Sequence, residues 1–288
     1  MQIGLQLYGV QLTPTANVAG SAWPMDALDP LRVADSKTGL DFLLLGGLPP
    51  GGASSIGRAA DLIVPLAAAS LAMSTPGVEI IVKLSSFAFD PAHVARIGGN
   101  LSRLTCERWA LYLDGDGARW NAELDGEAAA ARLREFLAAV QQHWAGTADF
   151  AGHHLRSRGR MVGPRPGVQP PILLDREMAA ALPDLALQAE VVGVEELAAA
   201  SGTRPLLVRC ALVLGRTADE AAAMARECKS LDLARCLVGT AQDVGARIAA
   251  ALKGRAVARL ALGFPALRIA EFGMVRQSLL PMLRSLVA

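Results

Sequence analysis

The sequence predicts a (β/α)8 barrel, or TIM barrel, that forms one domain over residues 1–288. Short apolar strands alternate with helical patterns eight times along the chain. The length of 288 residues is ordinary for a fold of about 250 residues. Because 52% of the residues are hydrophobic and only 19% are charged, the strands are expected to be buried on both faces, as in a parallel barrel.

A doubly wound α/β sheet is the alternative architecture, since it shows the same alternation of strands and helices. Its nucleotide-binding version carries a GxGxxG motif after the first strand, and no such motif follows residues 2–8. The barrel is therefore favoured. The low charged fraction also predicts a subunit interface, so we expect a homo-oligomer.

The first half of the chain contains four predicted strands and four predicted helices. The strands are 2–8, 40–45, 78–84 and 109–113, and the helices are 28–38, 54–73, 91–103 and 126–144. Asp90 followed by Pro91 is typical of a helix start, because the aspartate caps the helix and proline suits its first position. Pro65 is expected to break or kink the helix over 54–73.

Residues 145–171 read as an insertion before the fifth strand, because Pro164, Pro166, Pro170 and Pro171 forbid a continued helix. The second half then repeats the strand and helix pattern. Its strands are 172–174, 189–192, 206–214 and 257–262, and its helical segments are 176–182, 195–200, 217–229, 240–252 and 269–287. A capping box is predicted at the helix that starts at residue 217.

Composition and charge exclude several classes of function. With 28 basic and 27 acidic residues, the net charge of +1 gives no field that would attract nucleic acid. The start of the chain lacks the features of a signal peptide. The uncharged and mostly apolar run 62–78 contains two prolines and is too short to span a membrane. We expect a cytoplasmic protein that binds neither nucleic acid nor membranes.

The four cysteines show no CxxC pair. All of them lie in or beside apolar periodic segments, which predicts reduced and mostly buried thiols instead of disulfides or a metal site.

Charged residues inside two predicted strands are the first candidates for a functional site. Arg209 lies within LLVRCALVL and Lys83 within IIVKLSS, and a buried charge is costly unless it is paired or faces a ligand. A structural salt bridge of Arg209 to Asp114 or Asp175 explains it equally well. Polar residues at strand ends, where the active sites of barrels lie, add Tyr8, Ser85 and Asp114.

Several segments resemble one enzyme family. The order W-x-G (144–146), F-x-G (150–152) and a Pro-rich stretch before a strand is similar to the bacterial-luciferase-like flavin monooxygenases. The alkanesulfonate monooxygenase branch is the most similar. The resemblance continues in four further segments, 78–96, 103–117, 208–221 and 237–265.

The resemblance implies a luciferase-like barrel that binds reduced FMN, supplied by a flavin reductase, and oxidises a small organic substrate. This chain departs from the family at the residues that carry the chemistry. Asp175-Arg176-Glu177 replaces a Gly-Gly-Ser turn that binds phosphate, although Arg176 compensates in part. Arg209 is retained without the histidine two residues later, and Phe264 replaces a tyrosine. The family's cysteine after the second strand has no counterpart in 46–55.

These departures leave two alternatives beside the flavin monooxygenase. One is a non-catalytic relative that keeps the barrel but binds flavin weakly or not at all. The other is an unrelated barrel enzyme that binds a small anionic metabolite through Arg209 and Lys83. No metal site is predicted. The residues expected to bind cofactor or ligand are Tyr8, Lys83, Ser85, Asp114, Arg176, Arg209 and Phe264.

Overall fold

A computed structural model describes most of the chain. The described residues are 1–8, 39–47, 54–75, 77–114, 124, 126–146, 149–158, 163–200, 204–228, 231–265 and 273–285, with the side chains of 54–63 excepted. They contain eleven strands. These are β1 (Gln2–Leu7), β2 (Phe42–Leu45), β3 (Glu79–Ser85), β4 (Trp109–Asp114), β5 (Phe150–Ala151), β6 (Arg156–Ser157), β7 (Ile172–Asp175), β8 (Ala189–Gly193), β9 (Leu206–Leu214), β10 (Cys236–Gly239) and β11 (Val257–Gly263).

Eight of these strands close into a parallel barrel in the order β1-β2-β3-β4-β7-β8-β9-β11. The last strand returns to the first, since Ile3 pairs with Leu260 in parallel register. On the other side, β8 pairs with β9, where Gly193 lies opposite Arg209. Closure confirms the predicted (β/α)8 barrel, because a doubly wound sheet stays open.

The helices lie between the barrel strands. They are Ser54–Ser74, Pro91–Thr105, Gly126–Ala145, Arg176–Ala181, Ala218–Glu227, Ala241–Leu252 and Leu280–Ser285. Two predicted N-caps are confirmed, because Asp90 accepts a hydrogen bond from the Ala92 amide and Thr217 accepts one from the Glu220 amide. The predicted helix over 28–38 lies outside the described residues. No described helix has the length and apolar character needed to cross a membrane.

Two helical segments of the structure differ in detail from the prediction. Pro65, where a break or kink was predicted, lies inside the helix Ser54–Ser74, and the helix continues through it without a break. Proline removes a single backbone donor, and buried Val64, Ala68 and Leu71 on one face hold the helix on the barrel. The predicted helix over 195–200 is a 3-10 helix, Val194–Ala199.

The region 145–171 contains the antiparallel hairpin of β5 and β6. Glu135, on the preceding helix, holds its turn by accepting hydrogen bonds from the amides of His153, His154 and Leu155 at 2.8–2.9 Å. At the other end of the hairpin, buried Ser157 lies 3.0 Å from Nε2 of His143. The strand β10, which the sequence did not predict, pairs with the far end of β9.

Hydrophobic side chains fill both sides of the barrel wall. The larger cluster packs between strands and helices. A second cluster fills the barrel interior and consists of Phe42, Leu44, Ile81, Ala110, Tyr112, Leu173, Ala189, Val191, Leu207 and Ala261. At the amino-terminal end of the barrel, Arg259 donates to Gln2 and Glu79 at 2.9 and 3.0 Å. Polar groups therefore cap this interior, and the functional site is built at its opposite end.

Candidate functional site

The carboxyl ends of four barrel strands bring five polar side chains together. Because side chains alternate along a strand, the inward positions at this end of the barrel are occupied by polar residues, and one of them, Tyr112, also belongs to the interior cluster. These five residues, which we call the rim cluster, are Lys83 on β3, Tyr112 and Asp114 on β4, Asp175 on β7 and Arg209 on β9. This is the end of the barrel where enzymes of this fold class bind their substrates.

Lys83 is the deepest cation of the rim cluster. Its Nζ atom lies 3.1 Å from Oδ2 of Asp114 and 4.0 Å from Oδ2 of Asp175. Burial disfavours the charged ammonium, but Asp114, Tyr112 and Asp175 together outweigh this effect and raise the pKa of Lys83. Lys83 is therefore a fixed positive charge and not an amine nucleophile at neutral pH.

Arg209 is less tightly paired. Its Nη2 atom lies 3.6 Å from Oδ1 of Asp175, which is longer than the roughly 2.7–2.9 Å of a charge-assisted hydrogen bond. Its Nε atom is buried and has no hydrogen-bond partner among the described residues. A guanidinium carries five N–H donors, and the described residues leave the Nε donor of Arg209 without an acceptor.

Two tyrosines contribute neutral hydroxyl groups. The hydroxyl of Tyr112 donates a hydrogen bond to Oδ1 of Asp175, and Nζ of Lys83 lies 4.7 Å from the centre of the Tyr112 ring. Burial raises the pKa of both Tyr112 and Tyr8. Both phenols are therefore protonated at neutral pH and act as hydrogen-bond donors instead of general bases.

The ring of Tyr8 follows β1 and packs against the end of β11. A side chain at Gly263 would place its Cβ atom 2.4 Å from the Tyr8 hydroxyl oxygen. Glycine at residue 263 is thus required for Tyr8 to lie at this end of the barrel, close to Arg209, whose charge opposes the effect of burial on the Tyr8 pKa.

Three other predicted site residues are not members of the rim cluster. Ser85 is buried at the end of β3 and accepts a hydrogen bond from the Phe87 amide. Arg176 donates to the carbonyl of Ala199 on the outer surface. Phe264 is buried in the cluster between strands and helices.

Sequence reasoning did not select two members of the rim cluster as binding residues. Tyr112 reads as a core residue within WALYLD, and the sequence presents Asp175 as an ion-pair partner of Arg209 and as part of the segment that replaces a phosphate-binding turn. A signal was present for Tyr112, because strand alternation places residues 112 and 114 on the same face. The contact of Arg209 with Asp175 is the pairing that the sequence suggested.

No protein-family model matches this sequence, and a search of curated proteins finds no significant relative. Solved structures do match. The monooxygenase RslO1 from Streptomyces bottropensis is 16% identical with a TM-score of 0.72, over 98% of this chain and 99% of that one. Riboflavin lyase RcaE, solved with modified FMN and substrate riboflavin, is 16% identical with a TM-score of 0.68, over 99% and 91%.

A third similar structure belongs to an enzyme that depends on a different cofactor. An F420-dependent secondary alcohol dehydrogenase, solved with an F420-acetone adduct, is 14% identical with a TM-score of 0.68, over 98% of this chain and 99% of that one. At such identities the likeness establishes the fold. The chain is a (β/α)8 barrel of the type seen in these redox enzymes, and the expected luciferase-like barrel is confirmed at the level of fold.

Proposed function

We propose that the chain is a luciferase-like, FMN-dependent monooxygenase that acts on a small organic substrate at the rim cluster. The observation that carries this proposal is Arg209, a three-quarters buried arginine with an unmatched Nε donor at the carboxyl ends of the barrel strands. Its position corresponds to the arginine that the sequence resemblance retains. The fold likeness to a monooxygenase and to an enzyme solved with modified FMN supports the same conclusion.

The described residues fit the ring of a flavin better than its phosphate. Arg209 would hold the polar edge of the ring, and Lys83, paired with Asp114, would contribute fixed positive charge nearby. Around the fifth barrel strand, Asp175 is engaged by Tyr112, and Glu177 lies in the first turn of the next helix. Both carboxylates oppose a phosphate dianion, and Arg176 is bound elsewhere. We therefore expect FMN to bind with a Kd of tens of micromolar or weaker, that is, less tightly than about −8 kcal/mol.

The chain's own groups would orient and polarise the bound molecules. Reduced flavin supplies electrons for the activation of dioxygen. Lys83 and Arg209 provide fixed positive charge in a site that is largely shielded from water, where charge acts strongly. Tyr112 and Tyr8 provide neutral donors because their pKa values are raised. A flavin reductase would supply the reduced cofactor, and the alkanesulfonate branch is the one that we infer from the sequence.

A second candidate function is an F420-dependent oxidoreductase, which the likeness to the F420-dependent alcohol dehydrogenase favours. FMN and F420 both carry a tricyclic ring, so the same end of the barrel would bind either cofactor. The similar solved structures do not support the non-catalytic alternative, because they are enzymes. A homo-oligomeric state and a cytoplasmic location remain predictions.

Fluorescence titration of the purified protein with FMN and with F420 tests the proposal. The wild-type protein should bind one of them, and Arg209→Met should abolish that binding. The control is Arg134→Met, which removes an exposed arginine that pairs with Asp184 on the surface, and its affinity should equal that of the wild type. Failure of the wild type to bind either cofactor would refute the proposal.

A further inference from the structure

The rim cluster holds two cations and two carboxylates, and these differ in burial. The side chains of Lys83 and Asp114 are 10% and 4% exposed. Those of Arg209 and Asp175 are 24% and 33% exposed. The pair of Lys83 with Asp114 is therefore almost inaccessible to a ligand, and the pair of Arg209 with Asp175 is the part of the rim cluster that a ligand would contact.

Arg209 offers hydrogen-bond donors that the described residues leave unused. Its contact with Asp175 at 3.6 Å is an ion pair without a hydrogen bond, and its Nε atom is unmatched although buried. An unmatched buried donor carries a desolvation cost that an acceptor removes. The position of Arg209 therefore favours a ligand with an acceptor oxygen.

Asp175 determines which kind of acceptor fits. Its Oδ1 atom accepts from the Tyr112 hydroxyl, and its Oδ2 atom lies 4.0 Å from Nζ of Lys83. These contacts hold its carboxylate beside the guanidinium of Arg209. A second carboxylate or a phosphate bound to the same guanidinium would be repelled by this charge. A neutral carbonyl oxygen accepts from Arg209 without that repulsion.

We propose that Asp175 makes the Arg209 position selective for a neutral carbonyl oxygen, such as that of an amide, imide or ketone, over a carboxylate or phosphate. This inference rests on the proposed function only in placing the ligand at the rim cluster. Asp175→Asn keeps an acceptor for Tyr112 and removes the negative charge. The variant should therefore gain affinity for anions.

Benzamide and benzoate test this selectivity, because they have nearly the same shape and differ in charge. Their affinities are measured by ligand-observed NMR for the wild type, for Asp175→Asn and for the control Asp184→Asn, which alters an exposed carboxylate. The wild type should bind benzamide at least tenfold more tightly than benzoate. In Asp175→Asn the ratio should move at least tenfold toward benzoate, and in Asp184→Asn it should not change.

Three results would overturn the inference: a wild type that binds benzoate as tightly as benzamide, one that binds neither, or an unchanged ratio in a folded Asp175→Asn. Circular dichroism shows whether Asp175→Asn is folded. If this variant does not fold, the ratio of benzamide to benzoate affinity in the wild type still tests the inference. The FMN and F420 titrations run separately. Loss of cofactor binding with an intact benzamide preference would count against the proposed function alone.

Discussion

The ammonium nitrogen of Lys83 lies 3.1 Å from the Asp114 carboxylate on the neighbouring strand. In the register of β3 with β4, Lys83 is opposite Tyr112, and Asp114 is opposite Ser85. Lys83 therefore reaches diagonally toward the carboxyl end of the barrel to meet its partner. This buried pair holds the charged ammonium of Lys83 in place. The more exposed pair of Arg209 and Asp175 forms the outer part of the rim cluster.

Lys83→Met should destabilise the protein by roughly 3–5 kcal/mol, because it removes the buried cation that Asp114 faces. The double variant Lys83→Met/Asp114→Asn should recover much of this loss, since the charged carboxylate is then also absent. Urea denaturation of both variants measures the free energies of unfolding. A loss below about 1 kcal/mol in the single variant would mean that water screens the pair.

Arg209→Met should change the free energy of unfolding by less than about 1.5 kcal/mol, although it should abolish cofactor binding. The reason is that Arg209 makes a long ion pair with Asp175, and that Asp175 keeps its hydrogen bond from Tyr112. A buried structural pair would instead cost roughly 3–5 kcal/mol. Thermal unfolding of the variant distinguishes the two, and a large loss with normal cofactor binding would assign Arg209 a structural role.

Cys106→Gly should stabilise the protein by about 0.5–1 kcal/mol. Cys106 ends the helix Pro91–Thr105 with a φ of 51°, a left-handed conformation that glycine adopts without steric cost. The matched control is Cys228→Gly, since Cys228 also ends a helix but has a φ of −83°. Glycine there should be neutral or destabilising. Equal effects in the two variants, measured by urea denaturation, would contradict the role of the backbone conformation.

Glu135→Gln should remove a pH-dependent part of the stability. Burial opposes the charge of Glu135, but hydrogen bonds from three backbone amides outweigh it and lower its pKa. Because the folded pKa lies below the unfolded value, this contribution is present above the unfolded pKa of about 4.3 and is lost as the pH falls through the folded value.

The free energy of unfolding, measured at pH 6 and at pH 3, checks this prediction. The difference between wild type and Glu135→Gln should be larger at pH 6 than at pH 3. Glu127→Gln, on the same helix and exposed, is the control and should show a smaller pH-dependent difference. A difference that is the same at both pH values would exclude ionisation of Glu135 as the cause.

Local patterns were sufficient to predict the barrel. Each of its eight strands was located from an apolar run of a few residues, and helix starts at Asp90 and Thr217 were located from their caps. Such signals act within a few residues, so the sequence reports them directly. Pro65 shows the limit of a local rule, because the packing of its helix on the barrel overrides the loss of one backbone hydrogen bond.

Short strands that depend on distant partners were not predicted. The four residues of β10 form a strand because they pair with the end of β9, which extends beyond its pairing with β11. The hairpin of β5 and β6 is two residues long on each side. Two-residue strands carry no periodicity, and Glu135 on another element holds the turn.

The sequence by itself determined the fold class, the succession of strands, and the presence of charges at Lys83, Asp114 and Arg209 inside them. Only the tertiary structure decided which groups work together. Tyr112 and Asp175 are 63 residues apart and meet because β4 and β7 are adjacent in the barrel. Arg209 reaches Asp175 across β8. The energy of a charge depends on its neighbours and its burial, and barrel closure sets both.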